Sequence, residues 1–78
     1  MIYVYTVELR EGDGDAVVGH VASSYEKALA WATAEEQLEE LRTPDHRFMI
    51  FEEGLDNPSW AATRWRARVS HTGEVTEG

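Results

Sequence analysis

The chain has 78 residues, seven Lys and Arg against fifteen Asp and Glu, and a formal net charge of −8. A small body with that charge repels nucleic acid and anionic membrane, and attracts basic protein surfaces. A hydrophobic fraction of 42 %, with three Trp, three Tyr and two Phe, suffices for one packed core, which excludes a disordered acidic tail. The length leaves no room for a second core, so residues 1–78 are expected to form a single domain.

Without cysteine neither a disulfide framework nor a thiolate metal site can form. The first residues lack a basic leader and a cleavage site, and no apolar run approaches the ~20 residues of a membrane span. The expectation is a cytoplasmic protein of a bacterial cell. Asn57-Pro58-Ser59 has the outline of a glycosylation site, but the central proline forbids it.

Ile2–Leu9 is rich in β-branched and aromatic residues, which predicts a strand. At period two, Tyr3, Tyr5, Val7 and Leu9 share one face, and Ile2, Val4, Thr6 and Glu8 the other. Glu11-Gly12-Asp13-Gly14-Asp15 supplies a turn, and Ala16–Ala22 reads as the returning strand of a hairpin. Ser23-Ser24-Tyr25-Glu26 fits a capping box, with the Ser23 hydroxyl on the Glu26 amide. Helix formers continue to Arg42, and Pro44 closes the helix.

The apolar pattern of this helix is not one stripe. Tyr25, Ala28, Leu29 and Ala32 line one face, while Trp31, Ala34, Leu38 and Leu41 line another, turned by more than a quarter of a circle. Either the helix leaves the sheet towards its end, or the second stripe packs on a late strand or a dimer partner. Arg47–Glu53 is the third strand and residues 54–59 a long turn. Thr63–Val69 alternates strictly, which directs Trp65, Ala67 and Val69 inward. Arg64, Arg66 and Arg68 then share the solvent face, where they suit cross-strand pairing with Glu8 or Glu52. Gly73 allows a final short strand. The order β-β-α-β-β predicts an α+β domain: an antiparallel sheet of four to five strands with one α-helix packed on one face.

The Tyr-Val-Tyr start, the acidic turn, Gly19-His20-Val21-Ala22-Ser23-Ser24-Tyr25-Glu26-Lys27-Ala28, and Phe48-Met49-Ile50-Phe51-Glu52-Glu53-Gly54-Leu55-Asp56 followed by a Trp resemble a small phage and bacterial domain family of unknown function. The resemblance covers roughly residues 2–60. It implies the β-β-α-β-β fold and attaches no activity; the glutamates of residues 35–40 and the three-arginine strand lie outside its pattern.

His20, His46 and His71 are far apart in sequence and lack acid or histidine partners at helical ligand spacing, so no metal is expected. Asp13-Gly14-Asp15 lacks the rest of a calcium loop and reads as a hairpin turn. No nucleophile elbow or phosphate-cradling glycine loop is present. The paired acids Glu35-Glu36 and Glu52-Glu53 have no burial to raise a pKa. Neither an enzyme nor a cofactor is expected.

What remains is charge. Glu35, Glu36, Glu39 and Glu40 place a carboxylate roughly every 1.9 Å along about 7.5 Å of helix, close to the one charge per ~1.7 Å of duplex DNA. Residues 1–63 hold 13 acids and 4 bases, and residues 64–78 hold 2 acids and 3 bases. Asp13, Asp15, Glu52, Glu53 and Asp56 add acids on turns and strand ends, and these nine carboxylates form the candidate partner-binding set. The expected function is a non-enzymatic inhibitor that occludes the basic DNA-binding surface of a nucleoprotein and does not itself bind nucleic acid or membrane. In size and charge the chain is similar to phage-encoded anti-CRISPR proteins that mimic DNA. The alternative is a small assembly module that forms a homodimer through a sheet edge or the Trp31, Leu38 and Leu41 stripe, with the acids serving solubility.

Overall fold

The computed structural model describes residues 2–14, 16–41, 44–54 and 63–78. Its elements are β1 (Tyr3–Glu11), β2 (Ala16–Ala22), α1 (Tyr25–Thr33), α2 (Glu35–Glu40), β3 (His46–Gly54), β4 (Arg64–Ser70) and β5 (Val75–Glu77). The strands form one antiparallel sheet in the order β2-β1-β3-β4-β5. The α+β class and the antiparallel sheet are as expected. The single helix is not: there are two short ones.

Val7, Ile50, Ala67 and Val69 on one sheet face are fully buried with Ala28 and Ala32 of α1, and Phe48 and Leu41 join them. The two alanines let α1 lie close to the strands, where a larger residue would hold it off. Ser24, not Ser23, caps α1, its hydroxyl accepting the Lys27 amide at 3.2 Å; the Ser23 hydroxyl instead accepts from Lys27 Nζ.

The helix breaks at Ala34, whose backbone is extended (φ −62°, ψ 143°). No Pro or Gly marks the place. Just before it the Thr33 hydroxyl donates to the Leu29 carbonyl at 2.8 Å, a back-bond that bends helices. The break resolves the two stripes. A straight helix would carry Leu38 and Leu41 off the sheet, whereas the turn at Ala34 rotates both back onto the core. Trp31 stacks on His20 at 4.6 Å between ring centroids and meets Phe48 edge-on at 5.4 Å. The expected dimer stripe is therefore spent on the protein's own core.

Two bulges break the period-two reading. Val7 pairs with His20 and Glu8 with Val18, which leaves Gly19 as an extra residue in β2. Ile50 pairs with Ala67 and Phe51 with Trp65, which leaves Arg66 extra in β4. A bulge shifts every later side chain by one face. Ala67 and Val69 point into the core as expected, but Trp65 lies with Phe51 on the opposite face. The three arginines are separated too: Arg66 turns to the helix side, and Arg68 pairs with Met49 on the other. Gly73 turns the chain into β5 with φ +87°, and a side chain there would also meet Leu38.

An acidic pole at one end of the sheet

Antiparallel pairing brings the β1–β2 turn, the start of β3 and the β4–β5 turn to one end of the sheet. The Gly12 amide donates to the Asp45 carbonyl at 2.9 Å, which ties the first two together. α2 lies at the same end, because Leu38 packs beside Gly73 of the β4–β5 turn. Eight carboxylates consequently gather there: Glu11, Asp13, Glu35, Glu36, Glu39, Glu40, Asp45 and Glu74, all exposed. Among the described residues, Glu11 alone of the eight has an ion-pair partner, His46 Nε2 at 3.4 Å.

The helix that carries four of these acids is poorly finished. It has no side-chain cap at its start and no basic residue in its last turn. Leu38 faces the core, Leu41 follows at the C-cap, and the glutamates point to water.

The remaining members of the expected set lie elsewhere. Asp15 and Asp56 fall outside the described residues. Glu52 and Glu53 sit at the far end of β3, on opposite faces. The Glu52 carboxylate is 15 % exposed and already engaged: Arg66 Nη1 donates to its Oε2 at 2.6 Å and Tyr5 Oη to the same oxygen at 2.9 Å. Glu8 likewise pairs with Arg10 of its own strand at 3.1 Å. The pole thus takes Asp13 and the four helix glutamates from the sequence reading. It adds Glu11, Asp45 and Glu74, turn and strand-end acids that only the strand order makes neighbours.

The opposite end is built as a brace. Arg66 lies 4.6 Å from the centroid of the Tyr25 ring, and Tyr25 Oη donates to Glu77 Oε2 at 2.9 Å. Around it Tyr3, Tyr5, Tyr25, Ser23, Ser24, Glu26 and Arg66 line an open cleft of about 370 Å³. The hydrogen bond to Glu52, then desolvation, raises the Tyr5 pKa; desolvation first, then the bond to Glu77, raises that of Tyr25. Both phenols are donors at neutral pH.

Because both titrate higher in the fold than in the unfolded chain, their contribution to stability is fully present below the ordinary value of 10.0. It is lost as pH rises through the folded values. Replacing Tyr25 by Phe should therefore flatten the fall in stability as pH rises above the ordinary value of 10.0. Urea midpoints across that range measure it, and an unchanged slope would refute the brace.

No family model, curated protein or solved structure matches this chain. The functional reading accordingly rests on geometry and charge. Among the described residues, no three His, Asp or Glu side chains converge as metal ligands, and no helix is long and apolar enough to cross a membrane.

Proposed function

We propose that this protein is an acidic binding protein whose pole occupies the basic nucleic-acid-binding surface of a partner protein or nucleoprotein. The observation that carries the reading is the clustering of eight exposed carboxylates at one end of the sheet, seven of them without an ion-pair partner among the described residues. Structural acids find counter-charges, as Glu52 does; carboxylates left bare in a group keep a strong local field that lysines and arginines shaped for phosphate would meet. The linear charge density along α2 supports the same reading. A CRISPR effector complex is one partner of this chemistry, and inhibition would come from blocked DNA loading.

The test is capture by the immobilised protein from a lysate carrying such an effector, at ~0.1 M and ~0.5 M salt, where the screening length falls from about 10 Å to about 4 Å. Capture at low salt, release at high salt and displacement by target DNA are expected. An effector that is ignored at both salts, or captured without competition from DNA, overturns the reading for that partner class.

A further inference from the structure

We infer that the sheet face opposite the helices is a self-complementary surface that docks a second copy of this chain, two-fold related and with its strands antiparallel. This face carries Val4, Thr6, Glu8 and Arg10 of β1, Val18 and Val21 of β2, Arg47, Met49, Phe51 and Glu53 of β3, and Trp65 and Arg68 of β4. Both described helices lie on the other side. Val18 and Val21 are each 56 % exposed, and Arg68 is exposed.

The occupant follows from the order of side chains along β3. Arg47, Met49, Phe51 and Glu53 read cation, apolar, apolar, anion. A two-fold axis crossing the strands at the level of Ile50 inverts that order in the second copy. Arg47 then faces Glu53 of the second copy, and Met49 faces Phe51. β2 and β4 obey the same operation without adjustment. Val21 is level with Phe51 and Val18 with Met49, so each valine meets the other across the axis. Trp65 is level with Phe51 and Arg68 with Met49, so each indole meets a guanidinium, a favourable cation–π arrangement. On β2, β3 and β4 no charge meets its like, as suits an isologous interface. On β1 the operation sets Arg10 opposite Val4 and Glu8 opposite Thr6, and these two charges keep the ion pair they already make with each other.

The charge of the whole chain also bears on where two copies can approach. The face holds Arg10, Arg47 and Arg68 against Glu8 and Glu53, a positive surplus on a chain of net −8. Two copies therefore meet where their mutual repulsion is least. The antiparallel arrangement also sends the two acidic poles to opposite ends of the pair. Four strands at about 4.8 Å and seven residues at about 3.3 Å give a footprint of roughly 440 Å² per copy. That is below the usual size of a stable specific interface, so a weak, reversible and concentration-dependent dimer is expected.

Charge exchange tests the register directly. Sedimentation velocity on purified protein from about 1 µM to about 1 mM should show the parent chain dimerising, each of Arg47→Glu and Glu53→Arg weakening the dimer at least about tenfold, and the double exchange restoring it. A circular-dichroism melt confirms that each variant is folded; Arg47→Gln and Glu53→Gln replace any reversal that is not. A parent chain that stays monomeric throughout, single variants that dimerise like the parent, or a double exchange that fails to restore each overturn the inference. None of these readouts depends on what binds the acidic pole.

Discussion

Exchanging Glu36, Glu39 and Glu40 for lysine together is expected to abolish capture of a basic partner while leaving the protein folded. The substitution moves the net charge from −8 to −2 and reverses most of the field of α2. Close charge pairs across an interface couple with at least about 1.5 kcal/mol, so losing three weakens binding by more than about a thousandfold before any new repulsion is counted. The fold has little to lose by the change. All three side chains are exposed, Lys and Glu have similar helix propensities, and lysine at 39 and 40 suits the negative end of the dipole, which offsets the loss of an acid from the first turn at 36. The check is the same capture experiment beside a thermal melt. Undiminished capture by a folded triple variant would mean that the pole is not the contact.

The largest effect on stability is expected at Phe48, and its contrast is Phe51 three residues on. Phe48 is 2 % exposed and makes an edge contact with Trp31; its truncation to Ala opens a cavity beneath α1 at a cost of about 3–5 kcal/mol. A domain of this length holds only roughly 4–12 kcal/mol in all, so Phe48→Ala should be largely unfolded in mild urea. Phe51 lies on the other face, half-buried under the Arg10 guanidinium at 5.7 Å, and its truncation should cost less than about 1.5 kcal/mol. Urea unfolding of both at about 1 µM, dilute enough to keep self-association out of the comparison, measures the difference. Equal losses would undo the assignment of the two faces.

Much of this architecture is legible in the sequence, and the exceptions share a cause. The first hairpin and the third strand carry alternation or β-branched residues along their length. The face of Tyr5, Val7 and Leu9 is the one that packs on α1. Alternation fails where a residue is inserted into a pair. Arg66 is such an insertion, and nothing in Arg64–Arg68 announces it, because a strict alternation continues through it in the sequence. Trp65 was expected in the core and lies outside for that reason. The break at Ala34 has no breaker residue, yet its trace is present in the two stripes a quarter-turn apart, which no straight helix can satisfy. The acidic pole was half visible. The helix glutamates fall within six residues of sequence, but Asp45 and Glu74 join them only through the order β2-β1-β3-β4-β5, which local patterns do not encode.

α2 was described as a helix of six residues with no side-chain cap and no terminal cation. A helix this short does not persist unaided. Glu35 and Glu39, like Glu36 and Glu40, stand four apart and repel. Glu39 and Glu40 also crowd the negative end of the helix dipole. Its anchors on the core are Leu38 and, just beyond its end, Leu41. Residues 35–40 are therefore expected to exchange their amides well before the sheet does. A cationic partner of the kind proposed would remove the repulsion that drives this opening, so association and local ordering would become one equilibrium. Part of the attraction would then be spent on closing the helix, and the protein holding such a partner would be more ordered than the protein that met it.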